Sequence, residues 1–297
     1  MTRILVTGKQ GQVGFELLRS LSVLGEVIAV GRDECDLADE HAVAALLDRY
    51  APDVIVNPAA YTAVDRAETE RELAFAINAT APAVMAAAAV KSGALLVHFS
   101  TDYVYDGDKA GAYLESDATG PRSVYGQSKL AGEQAIAASG ARHLIFRTSW
   151  VFGAHGNNFA KTMLRLAGER ESLKVVADQF GAPTAASVIA DVAAQVVGQY
   201  LHAKSTDAFP YGIYHLAAAG ETNWRDYAVE VVDQARALGA ALKLKASDIE
   251  PIPTSGYPLP APRPANSRLS TDKLRTTFGL ALPEWRDTLQ RTLQLMI

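Results

Sequence analysis

The chain has 297 residues, of which 49% are hydrophobic and 21% charged, a composition that excludes a disordered or collagen-like polymer. Its 28 basic residues stand against 33 acidic ones, a formal charge of −5, so it lacks the basic footprint of a nucleic-acid binder and any basic run for an anionic membrane surface. The single cysteine, Cys35, cannot form an internal disulfide and reads as a small buried residue. The start, Met1 to Gly8, is too short and too soon broken for a signal peptide. The most apolar later stretch, Ala79 to Val90, holds Pro82 and falls short of the roughly 18 apolar residues of a membrane span. A cytoplasmic protein is expected.

The first half alternates strand and helix signals. Ile4 to Val6 is a short apolar run ending at Gly8, and Gln12 to Leu24 carries Val13, Leu17, Leu18, Leu21 and Leu24 at helical spacing. Val27 to Val30 reads as a second strand, His41 to Tyr50 as a helix and Val54 to Val56 as a third strand. Ala74 to Lys91 reads as a long Ala-rich helix, Leu95 to Phe99 as a fourth strand, Ser123 to Ser139 as a helix and His143 to Arg147 as a further strand. Continuous apolar strands separated by helices indicate a parallel sheet covered on both faces, and right-handed crossovers make it a doubly wound α/β sheet of the Rossmann type. Past residue 150 the rhythm loosens, with helices expected at Asn158 to Gly168, Ala186 to His202, Trp224 to Leu238 and Trp285 to Met296. Short strands are expected at Lys174 to Ala177 and Tyr211 to Leu216. Pro251 to Pro264 holds six of the 13 prolines and is expected to run as an extended, stiffened loop with no helix. Residues 1–150 are taken as a dinucleotide-binding domain to which later segments return, and 151–297 as mainly a smaller α/β substrate part.

Gly8, Gly11 and Gly14 lie between the first strand and the first helix. The first permits a tight turn, the second lets backbone N–H groups approach a pyrophosphate, and the third allows close helix–strand packing. The phosphate then sits at a helix N-terminus, where free donors and the dipole favour negative charge. At the end of the second strand, Arg32 suits a 2′-phosphate and hence NADP, while Asp33 suits the ribose hydroxyls of NAD. The two pull opposite ways, and a solvated Arg32 stays open.

Tyr125 and Lys129 are four residues apart, on one face of a helix. A ketone reduction needs a proton donor at oxygen as hydride reaches carbon. Tyrosine is a poor acid near neutrality, and a neighbouring ammonium favours its phenolate. The pair follows Ser100-Thr101-Asp102-Tyr103-Val104-Tyr105 at the end of the fourth strand.

The glycine spacing and the Tyr–Lys pair resemble the extended branch of the short-chain dehydrogenase/reductase superfamily. Nearly the whole chain is similar to the dTDP-4-dehydrorhamnose reductase family, through Gly8-Lys9-Gln10-Gly11-Gln12-Val13-Gly14, Asn57 to Asp65, Ser100 to Tyr105, Tyr125 to Lys129, Arg147 to Gly153, Asp178 to Thr184 and the proline segment through Arg263-Pro264. The resemblance implies hydride transfer from NADPH, with NADH as the other candidate, to C4 of dTDP-4-dehydro-β-L-rhamnose. Tyr125 would protonate the nascent alkoxide, Lys129 would tune Tyr125 and hold the ribose, and Thr101 would orient the carbonyl. Gly11, Gln12 and Val13 would cradle the pyrophosphate, Asp36 and Leu37 would lie beside the adenine, and Ala60, Tyr61 and Thr62 would line the adenosine and ribose side. Phe99 would meet the cofactor mainly by backbone, or serve as core. Asp102 and Trp150 would hold the sugar; alternatively Asp102 caps a turn and Trp150 is packed core. His98 reads as a satisfied core histidine, and no metal-ligand spacing appears among the histidines. Some family members place Mg²⁺ at glutamates of a dimer contact; Glu16 lies at such a position but reads as a solvated helix residue, and monomer against homodimer stays open. Two other functions remain: another nucleotide-sugar reductase or epimerase of the same branch, and a non-catalytic dinucleotide-binding regulatory subunit.

Overall fold

The structure, a computed structural model, describes residues 1–297 in full. Strands β1 (Arg3–Val6), β2 (Glu26–Ala29) and β3 (Val54–Asn57) alternate with helices α1 (Gln12–Leu21), α2 (Glu40–Tyr50) and α3 (Ala81–Ser92). β4 (Leu95–Thr101), α4 (Val124–Ala138) and β5 (His143–Thr148) follow, then α5 (Phe159–Glu169) and β6 (Leu173–Val176). The chain ends with α6 (Ala186–Leu201), β7 (Gly212–His215), α7 (Trp224–Ala237), β8 (Ile249–Ile252), α8 (Asp272–Phe278) and α9 (Trp285–Leu293).

Six strands form one parallel sheet in the order β7-β5-β4-β3-β1-β2. Every residue of β3 and β4 is buried, as both-faced coverage demands. The alternation along β1 shows how: Ile4 and Val6 pack with Leu17, Leu21 and Ile189 of α1 and α6, whereas Leu5 packs with Val43 and Met85 of α2 and α3. The winding reverses between β1 and β3, and the crevice for a ligand opens at their carboxyl ends.

Past residue 150 the chain serves two cores. α6 packs on α1, and β7 joins the large sheet beside β5, with Gly212 opposite Leu144 and His215 opposite Arg147. A second core gathers α5, α7 and α9 around Phe152, Tyr227 and Trp285, beside the parallel pair of β6 and β8.

Two elements differ from expectation. Helical structure begins at Arg71, passes through a π turn at Ala76–Thr80 and continues into α3, giving 22 residues, Arg71–Ser92, long and apolar enough to cross a membrane. Here it packs as a core helix, with Ala81, Met85, Ala86 and Ala89 buried. The π turn has a local cause. Pro82 has no N–H to return to the carbonyl of Asn78, and Ala81 instead donates to Ala76. The second difference lies in the proline segment, where Pro251 sits inside the two-stranded β8 and a 3₁₀ turn forms at Thr254–Gly256. An edge strand tolerates proline, and no proline falls within that turn.

Candidate active site

A groove of about 650 Å³ runs across the carboxyl ends of β1 to β4. Its floor is backbone. Gly8 adopts φ +62°, and a β-carbon there would stand 2.9 Å from that of Ala59; one on Gly14 would stand 2.1 Å from the Gly8 carbonyl oxygen. Both positions therefore require glycine. Gly11 caps α1, whose first turn holds no acidic residue, so its free N–H groups face the groove unneutralised. Gln12 and Val13 line the same end. Gln12 Oε1 accepts from Asn158 Nδ2 at 2.9 Å, which ties the glycine turn to the loop after β5.

At the other end, Arg32 is exposed and lines the groove with Asp36 and Leu37, whereas Asp33 lies outside the lining. Ala60 and Thr62 line it as well. Tyr61, expected beside them, turns the other way. Its ring joins Ala74, Ile77 and Val124, its hydroxyl donates to Glu70, and its peptide is clasped by Asn78, which accepts from Tyr61 N at 2.8 Å and donates to Tyr61 O at 3.0 Å. Ala60 and Thr62 thus line the groove, while the Tyr61 ring faces the core.

α4 supplies the reactive wall. Its cap is Ser123, which accepts from Gly126 N at 3.1 Å. A β-carbon at Gly126 would lie 2.3 Å from the Tyr103 carbonyl, so this glycine lets the helix close onto the turn after β4. Tyr125 and Lys129 line the groove with Phe99 and Ser100. Lys129 is buried and donates to Phe99 O at 2.7 Å, while the Phe99 ring packs against Phe146. Burial pushes the Tyr125 phenol up to about 12, against the pull of the Thr101 hydroxyl beside it. Burial also lowers Lys129 to about 8, against the pull of Glu133 one turn on. Thr101 donates to Asp102 Oδ1 at 3.0 Å and accepts from Tyr103 N at 3.2 Å. Asp102 is 3% exposed, and burial raises its carboxyl to about 6. Three buried polar atoms of β4, β5 and the turn after β4 have no partner: Ser100 Oγ, Thr148 Oγ1 and Asp102 Oδ2. Native interiors seldom leave such atoms unsatisfied, and Ser100 and Thr148, which line the groove, mark where a ligand is due there.

A second cavity, about 940 Å³, opens on the C-terminal side. Its lining meets that of the groove where Tyr103 packs edge-on against Tyr125, ring centroids 5.4 Å apart. Trp150 lines this cavity with φ +47°, a left-handed conformation rare for a bulky residue. Its ring stacks on Trp224 at 3.7 Å, and Gly181 comes so near the ring that a β-carbon there would stand 2.7 Å from it. Trp150 is half-buried, neither plain core nor free surface. The proline segment forms the outer wall and is tied at both ends. Thr254 N and Oγ1 donate to Asp178, and Arg263 pairs with Asp65 at 2.7 Å.

Sequence reasoning assigned no role to Trp224, nor to Arg263 and Gln179 within their motif blocks; Gln179 donates to Thr254 and accepts from Trp224 Nε1. Glu16, weighed as a metal ligand, pairs with Arg19 on α1.

The profile of the family described as RmlD substrate binding domain matches residues 1–297. The chain belongs to the dTDP-4-dehydrorhamnose reductase family. The reductase of Burkholderia thailandensis is 52% identical over 284 residues, covering 96% of this chain and 95% of its own. The structure of a reductase from Clostridium acetobutylicum superposes with a TM-score of 0.90 at 36% identity, covering 99% of each chain. That from Bacillus anthracis, solved in complex with NADP, has a TM-score of 0.88 at 34% identity and covers 99% of each chain. The doubly wound parallel sheet expected from the strand pattern is the fold of these reductases. The groove fits a nicotinamide dinucleotide: a glycine cradle and an unneutralised helix N-terminus stand at one end, and unpaired hydroxyls stand at the other.

Proposed function

We propose that this chain reduces the C4 keto group of dTDP-4-dehydro-β-L-rhamnose to give dTDP-L-rhamnose. The observation that carries the reading is the placement of Tyr125, whose phenol lines the groove at the point where its lining touches that of the second cavity. NADPH, when bound in the groove, supplies the hydride. Tyr125 gives its phenolic proton to O4 as that oxygen takes up the electron pair of the carbonyl. The Lys129 ammonium stabilises the phenolate left behind, and its remaining donor holds the ribose. The unpaired Ser100 hydroxyl donates to the carbonyl oxygen from the other side, and Thr101 does so by turning its single O–H from Asp102 to that oxygen. Asp102 accepts from sugar hydroxyls, which its unpaired Oδ2 favours. Trp150 offers a flat apolar face, held by Trp224, to the deoxysugar. Arg32 takes the 2′-phosphate of the cofactor. The partner is the nucleotide sugar, met in the cytoplasm.

The test is a screen of purified protein with dTDP-, UDP- and GDP-4-keto sugars against NADPH and NADH. Oxidation of NADPH that depends on the dTDP sugar is expected. Cofactor binding without turnover of any of these sugars would overturn the reading in favour of a regulatory subunit.

A further inference from the structure

Beneath the groove, Lys129 is joined to a chain of buried polar side chains. Its Nζ lies 3.2 Å from His98 Nε2. His98 Nδ1 lies 3.1 Å from Asn57 Nδ2, and Asn57 Oδ1 accepts from Thr7 Oγ1 at 2.6 Å. Asn57 and His98 stand opposite each other on β3 and β4, and Thr7 follows β1. None of these side chains belongs to a residue more than 1% exposed, and the chain leads from α4 to the first glycine turn.

Counting donors shows that this chain has two consistent states. A neutral imidazole has one N–H and one acceptor nitrogen. When Lys129 is an ammonium it has only protons to offer, so His98 Nε2 must accept. Nδ1 then carries the proton and needs an acceptor, which Asn57 supplies by presenting its Oδ1. When Lys129 is a neutral amine, Nε2–H donates into its lone pair, Nδ1 accepts from Asn57 Nδ2, and Asn57 Oδ1 accepts from Thr7. The amide orientation in the structure matches the second state, and its two ends differ only by a flip. His98 itself stays neutral, held well below its ordinary range by burial and by Lys129. Of the other ionisable groups facing Lys129, Tyr125 precedes it by one turn of α4, and Glu133 follows by one turn. Glu133 is committed to Arg147 of β5 in a buried pair at 2.6 Å.

We propose that His98 is a positioning residue for Lys129, its tautomer following the charge of the lysine while Asn57 turns to match. The inference rests on Lys129 serving the reduction described above. As an acceptor, His98 favours the charged lysine, and together with Phe99 O it aims the third N–H at the groove. A core histidine with purely structural work would keep one tautomer.

The test uses the full chain saturated with NADP⁺ and labelled with ¹⁵N-histidine, the His98 signals being assigned by their loss in His98→Gln. The expected result is the Nδ1–H tautomer near neutral pH, converting to Nε2–H with the midpoint of the alkaline limb of kcat. A single tautomer across that limb would overturn the proposal. His98→Leu is expected to move the alkaline limb about one pH unit lower, a roughly tenfold loss on that limb. His98→Gln, whose Oε1 can still accept, should leave the limb in place. In a Lys129→Met background His98→Leu should add no further loss, and an undiminished further loss there would overturn the proposal. If His98→Leu fails to fold, the tautomer titration of the unaltered protein decides alone. If Tyr125→Phe keeps full turnover, the catalytic reading fails, and the titration still reports on the His98–Lys129 pair.

Discussion

The two hollows of this molecule are built by different means. The cofactor groove is a backbone object: a left-handed glycine, a glycine packed against a carbonyl, a helix N-terminus and strand ends fixed by the parallel register. The second cavity is a side-chain object: a strained Trp150 stacked on Trp224, a proline segment tied by Asp178 and Asp65, and aromatic residues from distant parts of the chain. A backbone site tolerates change at most positions and none at a few. A side-chain site spreads its work, so single losses are smaller and fall on one ligand.

Substitutions can break or sharpen that contrast. Striking the boundary itself, Tyr125→Phe should lower kcat by about 10²–10⁴-fold and leave NADPH affinity intact, as fluorescence titration beside steady-state rates will show. Asp102→Asn, in the turn after β4, should exchange activity for stability. A carboxyl raised to about 6 by burial disfavours folding wherever it is charged. The variant should therefore be more stable at pH 7 by about 2–3 kcal/mol. That gain should close as the pH falls from 6 toward about 4, where the unfolded carboxyl also takes its proton. Denaturant melts at several pH values measure it, and a gain that does not change with pH would mean that the charge is not responsible. On the groove side, Gly14→Ala forces a β-carbon against the Gly8 carbonyl and should cost about 1–3 kcal/mol of stability, with weakened NADPH binding and an unchanged affinity for dTDP. Trp224→Ala should do the reverse. Loss of the stack, about 0.5–1.5 kcal/mol, should raise KM for the sugar nucleotide some two- to tenfold while NADPH affinity stays put. A variant of either kind that disturbs both ligands equally would erase the distinction.

The same contrast explains what could be read from residues alone. The glycine turn and the Tyr125–Lys129 pair were legible because each depends on spacing within a few residues of one element. The parallel sheet was legible because its strands are apolar without interruption. Trp224 and Arg263 were not, since they reach the cavity from elements far from Trp150 and Asp65 in the chain. Tyr61 turns its ring away from the groove that its neighbours Ala60 and Thr62 line, because a motif names a stretch and not the side each of its residues faces. The π turn before α3 was readable in principle from Pro82, which the expected helix Ala74 to Lys91 carried in its interior without an account of its missing N–H.

That π turn reaches further than its own helix. The Asn78 carbonyl, to which Pro82 has no N–H to return, projects into a notch on α4, where any β-carbon at Gly132 would come within 2.1 Å of it. The azimuth of α4 about its own axis is thereby indexed by a peptide oxygen from a neighbouring helix. Tyr125 and Lys129 ride on that axis as one rigid lever, so a larger residue at 132 would swing proton donor and ammonium together.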